Sequence, residues 1–240
     1  MEKNEFKESL KKNAELIEAN LSDEMLEQFY KYKELVVEWN EKINLTAITG
    51  DEEFIIKHFV DSITVNKYIQ EDKSIIDIGT GAGFPGIPLK ILNKENKVVL
   101  FDSLNKRLKV LEDIIEKIEL KNVETFHGRA EETFKNKLYR EKYDIAVSRA
   151  VASLNVLVEL MLPAVKVGGT CICMKGNNAD IEIQEAKNAI KELGGQIIKV
   201  EKIVLPKLNL ERNIIIIKKV KNTPNNYPRK PGTPQKSPII

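Results

Sequence analysis

The chain has 240 residues, 42% of them hydrophobic, with 31% charged and a formal net charge of +2. That length buries a large core in one domain or one and a half. No stretch resembles a signal peptide and no apolar run reaches membrane-spanning length, so the expected protein is cytoplasmic, with no membrane partner.

The charge is unevenly placed. Residues 1–49 hold eleven acids and seven bases, whereas Arg212, Lys218, Lys219, Lys221, Arg229, Lys230 and Lys236 follow Glu211 with no acid among them. A basic end on a near-neutral chain predicts either a solubilising tail or a polyanionic partner.

The first 78 residues contain no proline and one glycine, Gly50. Phe6, Leu10, Ala14, Ile17 and Leu21 recur at helical spacing, as do Met25, Phe29, Tyr32, Val36 and Trp39. Ser22 before Asp23 and Glu24 is a helix start, because a hydroxyl caps free amides and acids suit the positive helix end. A loop over 40–50 and a third helix over 52–69 complete an N-terminal helical extension, residues 1–70.

From Ser74 strands alternate with helices. Strands are expected at 74–78, 97–102, 122–126, 143–147, 168–174, 196–204 and 212–219, with helices at 85–93, 104–119, 129–138, 153–162 and 179–193. This is an α/β pattern with a mostly parallel seven-stranded sheet and right-handed crossovers. The last two runs leave no room for a helix and form an antiparallel hairpin at the sheet edge. The core is 71–220. Residues 221–240 hold five of the nine prolines and form an extended or looped basic tail. Cys171 and Cys173 alternate along one strand as core residues; without a nearby histidine they cannot make a four-ligand metal site, and no metal is expected.

The chemistry centres on Asp77-Ile-Gly-Thr-Gly-Ala-Gly-Phe-Pro-Gly86, between a strand and a helix. That arrangement holds nucleoside-containing cofactors in doubly wound folds. Gly81 to Gly86 has the glycine spacing of a P-loop, but Ile87 stands where its lysine must be. The stretch also fits a dinucleotide fingerprint, with Asp102 21 residues after Gly81, yet the terminal hairpin argues against a dehydrogenase. S-adenosylmethionine suits an acid followed by alternating glycines. Asp77 can accept from the ligand's amino group, Gly79, Gly81 and Gly83 admit its methionine part, and Asp102 can accept both ribose hydroxyls. Glu131 is placed to help near the adenine.

Cations cluster where ligands meet such sheets, at the carboxyl ends of strands: Lys106 and Arg107, Arg129, Arg149 and Lys175. They predict a phosphate-bearing substrate. The turn Ser148-Arg-Ala-Val151 lacks the Pro-Pro-aromatic element used for exocyclic amino methylation, and neither cysteine sits on a loop as a nucleophile for pyrimidine C5.

Trp39-Asn-Glu-Lys-Ile-Asn-Leu-Thr46, His58-Phe-Val-Asp-Ser62, the loop from Asp77 to Pro88, Asp102-Ser-Leu-Asn-Lys-Arg107, Ser148-Arg-Ala-Val151 and Tyr227-Pro-Arg-Lys-Pro-Gly-Thr-Pro234 occur in this order. Together they resemble the bacterial glucose-inhibited division protein B family of small-subunit rRNA guanine-N7 methyltransferases. The resemblance implies a Rossmann-like class I methyltransferase, and S-adenosyl-L-methionine-dependent transfer to guanine N7 in the decoding-region loop of 16S rRNA (position 527 in the family's usual rRNA numbering). Its partner is 16S rRNA or a small-subunit ribosomal particle, met as a monomer. It implies cofactor contacts at Gly79, Phe84, Ala130, Glu131 and Arg149. The basic residues expected on RNA are Lys106, Arg107, Arg129, Lys175, Arg229 and Lys230, with the tail on or near the active site and ordering when RNA binds. No catalytic acid, base or nucleophile is expected, because guanine N7 carries no proton. His58 and Asp61 are expected to fix the helical extension onto the sheet. The alternatives are a small-molecule methyltransferase and a non-catalytic RNA-binding assembly factor.

Overall fold

A computed structural model describes residues 1–240. The N-terminal extension begins with α1 (Lys3–Glu15) and α2 (Asp23–Asn40), which pack through Phe6, Leu10, Phe29, Tyr32 and Val36. The Ser22 hydroxyl accepts from the Met25 amide at 3.3 Å, the cap its sequence predicts. The first helix ends earlier than the apolar repeat, because Glu18 turns left-handed at φ 60°. The third is not one regular helix. It runs as α3 (Asp51–Phe54), a π-helical stretch (Ile55–Val60) and α4 (Asp61–Ile63), with a 3-10 turn at Asn66–Tyr68.

The core then alternates: β1 (Ser74–Ile78), α5 (Gly86–Leu92), β2 (Lys97–Asp102), α6 (Asn105–Lys117), β3 (Val123–His127), α7 (Ala130–Thr133), β4 (Tyr143–Arg149), α8 (Leu154–Met161), β5 (Val165–Lys175), α9 (Ala179–Glu192), β6 (Gly195–Leu205) and β7 (Leu210–Lys219). The helix expected over 129–138 shrinks to one turn. Beyond it the chain makes successive i to i+3 turns, and the Asn136 side chain takes the Leu138 amide.

The sheet order is β3-β2-β1-β4-β5-β7-β6, parallel except for β7, which runs antiparallel to both β5 and β6. Alternate strand residues feed two cores. Ile75, Leu100, Val147 and Ile172 face α1, α2, α5 and α6 on one side; Ile76, Phe101, Ala146, Cys171 and Cys173 face α7, α8 and α9 on the other. Both cysteines are buried and free, and burial pushes the Cys173 thiol up to about 12. Between β1 and β4 the winding reverses, and the crevice at that switch point is where such folds take ligands.

The tail crosses the second face and ends in α10 (Thr233–Lys236). Arg140 donates to the carbonyls of Thr223, Pro224 and Tyr227, and Tyr227 is buried against the second core. The tail is therefore docked on the core. It finds apolar and charged partners on the core that its composition alone does not reveal.

Candidate active site

The glycine loop is built around one carboxylate. Asp77 is fully buried; its Oδ2 accepts from Thr80 Oγ1 at 2.7 Å and from the Gly86 amide at 2.8 Å, tying the start of α5 to the end of β1. Burial pushes its pKa up to about 6, against the downward pull of those two hydrogen bonds. Gly79 and Gly83 take φ +73° and +98°. A Cβ at Gly79 would stand 2.5 Å from Val151 Cγ2, so only glycine passes there.

The extension supports this loop from below. Buried Tyr32 donates from its hydroxyl to the Ala82 carbonyl at 2.6 Å. Phe84 stacks on His58 with ring centroids 4.4 Å apart and planes 5° from parallel.

Above the loop lies a cavity of about 340 Å³ at the carboxyl ends of β1 to β4. Its lining includes Gly79, Asp102, Arg107, Arg129, Ala130 and Glu131. Asp102 accepts from the Gly81 amide at 3.0 Å and the Leu104 amide at 2.9 Å, with Arg107 Nη1 at 3.8 Å. Glu131 accepts from the Gly232 amide at 3.1 Å. A larger cleft of about 780 Å³ opens between α2 and α6, but it lies at the amino ends of the strands and is lined mostly by charged side chains. The smaller cavity has the glycine backbone, the acceptor carboxylates and the switch point, and its size falls within the roughly 300–1,000 Å³ of small-molecule sites.

The structure thus brings Gly79, Asp102, Ala130 and Glu131 to one cavity, with Gly81 bonded to Asp102 beside it. Asp77, Phe84 and Arg149 lie outside that lining. Arg149, expected to touch cofactor, instead donates to Asp61 Oδ2 at 3.0 Å and to the Lys57 carbonyl at 2.7 Å, and its Nη2 lies 3.2 Å from His58 Nδ1. The π-helical stretch explains the carbonyl contact, since its wider turn displaces carbonyls from the regular helical ladder. Asp61 is 2% exposed and also receives Arg212 Nε at 3.2 Å. His58 accepts no such charge. Burial first, then Arg149 and Lys57, drive its pKa down to about 3, so the ring is neutral. His58 and Asp61 do fix the extension to the sheet, each through Arg149 and not through one another.

Two of the cations expected on RNA are also committed elsewhere. Lys175 is 8% exposed, ion-paired to Glu182 at 2.6 Å and bonded to the Ala152 carbonyl. Arg229 is paired with buried Glu159 at 2.6 Å. In each case a carboxylate on a neighbouring helix claims the charge, partly buried Glu182 on α9 and fully buried Glu159 on α8. Lys106, Arg129 and Lys230 are exposed, and Arg107 is partly so. Sequence reasoning missed Tyr32 as a loop support, Val151 as the residue seated on Gly79, and the Gly232 amide as Glu131's partner. Only Gly232, a glycine inside a proline-rich stretch, carried any signal.

The model of the family described as "GidB: rRNA small subunit methyltransferase G" matches residues 25–215. The chain is 51% identical over 237 residues to the ribosomal RNA small subunit methyltransferase G of Clostridium novyi (strain NT), covering 98% of each chain. It is 52% identical over 221 residues to that of Acetivibrio thermocellus, covering 92% of this chain and 91% of the relative. Among solved structures, M. jannaschii TYW2 in complex with AdoMet aligns with a TM-score of 0.53 at 15% identity, over 67% of this chain and 77% of that one. Trm5b from Pyrococcus abyssi aligns with a TM-score of 0.54 at 16% identity, over 75% and 52%. At these identities the likeness is one of fold. The chain belongs to the GidB family, rRNA small subunit methyltransferase G, and is an S-adenosylmethionine-dependent methyltransferase.

Proposed function

We propose that this enzyme methylates N7 of a guanine in the decoding-region loop of 16S rRNA, acting as a monomer in the cytoplasm on the RNA or on a small-subunit particle. The observation that carries the reading is the 340 Å³ cavity of glycine backbone and acceptor carboxylates, with Arg107 and Arg129 in its lining, in a chain of this family. No helix is long and apolar enough to cross a membrane.

The residues fit the cofactor. Gly79 leaves backbone where any side chain would collide with Val151. Asp102 and Glu131 are acceptors suited to hydroxyl and amino donors, and Ala130 keeps the opposite wall small. When bound, S-adenosylmethionine supplies an electrophilic methyl group on a sulfonium. Asp77 and Phe84 act from beneath, holding the loop in shape.

Guanine N7 presents a lone pair on its major-groove edge and carries no proton. The chain therefore needs no general base, and His58 is walled in by Phe54, Phe84 and Arg149. The protein's task is alignment, which alone can supply much of the rate. N7 of a paired guanine in A-form RNA lies in a deep, narrow groove, so the target base must be unpaired or splayed out. Lys106, Arg107, Arg129 and Lys230 are suited to hold the flanking phosphates.

The test is methyl transfer from labelled cofactor to 16S rRNA, free or in particles, from a strain lacking the enzyme, followed by mapping of alkali-labile N7-methylguanine. A single labelled guanine in the decoding-region loop is expected. Labelling of another atom or nucleotide, by an enzyme that binds S-adenosylhomocysteine, would overturn the proposal.

A further inference from the structure

Glu159 lies within the apolar helix α8 with none of its surface exposed. A buried carboxylate without a partner is costly. Its partner comes from the tail. Arg229 donates to it from the backbone amide at 2.7 Å, from Nε at 3.0 and 3.1 Å and from Nη2 at 2.6 Å. The next residue of α8, Leu160, lines the cofactor cavity. Three residues along the tail, Gly232 takes φ +78° and turns its amide onto Glu131 Oε1 at 3.1 Å. That is the only hydrogen bond the protein makes to the Glu131 side chain, so the other oxygen is free for a ligand in the cavity that Glu131 lines. Upstream, Tyr227 fixes the same segment, its hydroxyl bonded to Glu192 at 2.5 Å.

We propose that the docked tail is a working part of the cofactor site, in which Arg229 is a positioning residue that acts through the Gly232 amide to aim Glu131 into the cavity. The inference rests on the reading of that cavity as the S-adenosylmethionine site. It assigns Arg229 to the cofactor and not to RNA, although Arg229 lies in the most basic part of the chain. Exposed Lys230 and Lys236 sit on the same segment, so RNA phosphates drawing on them would pull on the support of Glu131. Cofactor affinity and RNA binding are thereby linked through one short stretch of chain.

The experiment compares the full-length wild type with Arg229→Gln, Arg229→Lys and Gly232→Ala. It measures S-adenosylhomocysteine affinity by calorimetry, binding of a 16S rRNA fragment, and steady-state KM and kcat. Arg229→Gln should weaken S-adenosylhomocysteine by about tenfold and raise the KM for S-adenosylmethionine, with kcat at saturation and RNA affinity held within about twofold. Arg229→Lys should recover part of the loss, since it restores the charge without the fork. Gly232→Ala, which keeps Arg229 and strains only the turn, should raise the same KM. A folded Arg229→Gln with wild-type cofactor affinity and weakened RNA binding would overturn the inference and return Arg229 to phosphate contact. If Arg229→Gln does not fold, wild-type cofactor affinity in Gly232→Ala overturns it equally. Failure of the wild type to bind S-adenosylhomocysteine would instead refute the reading of the cavity itself.

Discussion

Replacing Asp61 with asparagine tests how the helical extension is held. The substitution keeps size and removes the one negative charge facing Arg149 and Arg212, whose nearest approaches are 3.0 and 3.2 Å. Removing one partner of a buried pair costs about 3–5 kcal/mol, because the charges left behind have lost their water. Here the carboxylate is 2% exposed but the arginine side chains are 13% and 25% exposed, so water relieves part of the penalty. The expected loss sits at the lower end, about 3 kcal/mol. In a chain of this size each kcal/mol lowers the melting temperature by about 2–4 °C, so Asp61→Asn should melt roughly 6–12 °C below the parent.

Urea unfolding of Asp61→Asn, Arg149→Met and the double variant gives the coupling energy directly. A coupling of at least about 1 kcal/mol is expected, because the two residues touch. A single variant within about 0.5 kcal/mol of wild type, as for an ordinary surface change, would show that the pair is solvated and the clasp an illusion of geometry.

Three further outcomes are expected. Tyr32→Phe leaves the Ala82 carbonyl without its donor and should cost about 1–3 kcal/mol while raising the KM for S-adenosylmethionine; an unchanged KM in saturating-RNA kinetics would detach Tyr32 from the loop's function. His58 is held near 3 against an ordinary 6.5, so the unfolded chain takes up its proton first as pH falls, and stability should drop between those values and be insensitive to this ring above 6.5, measured by urea titration of wild type against His58→Gln. Lys106→Gln combined with Lys230→Gln removes two expected phosphate contacts and should reduce the slope of log affinity against log salt by about 1.4 on single-stranded rRNA targets, with no change in slope counting against both placements.

Much of the frame was legible because periodicity is a local signal. The strands at 74–78 and 97–102 coincide with β1 and β2, since each is a short apolar run bounded by polar or glycine residues. The site was legible where it is backbone: the glycine loop, Asp102 and Glu131 all follow from strand ends. What sequence could not give was which charges find each other. Arg149, Lys175 and Arg229 look in sequence like the exposed cations Lys106 and Arg129. They differ only because Asp61, Glu182 and Glu159 approach from elements 88, 7 and 70 residues away. The π-helical stretch was also hidden, because Ile55–Val60 has the composition of any buried helix and the Arg149 that meets its Lys57 carbonyl comes from 92 residues away.

The two segments outside the strand–helix alternation do the same thing by different routes. The N-terminal extension sends Asp61 to Arg149, at the start of the turn that carries Val151 onto Gly79, and sends Tyr32 to the glycine loop. The C-terminal tail sends Arg229 to Glu159, beside Leu160, and its Gly232 amide to Glu131. A reaction at an atom with no proton to remove gains nothing from a tuned acid or base and much from rigid placement. Charges held in pairs around the cavity are what that demand selects. On the proposed roles of Arg229 at the cofactor site and Lys230 on RNA, order of binding becomes a property of the fold: RNA engaging the tail before the cofactor is seated would meet a different cavity from RNA engaging it afterwards.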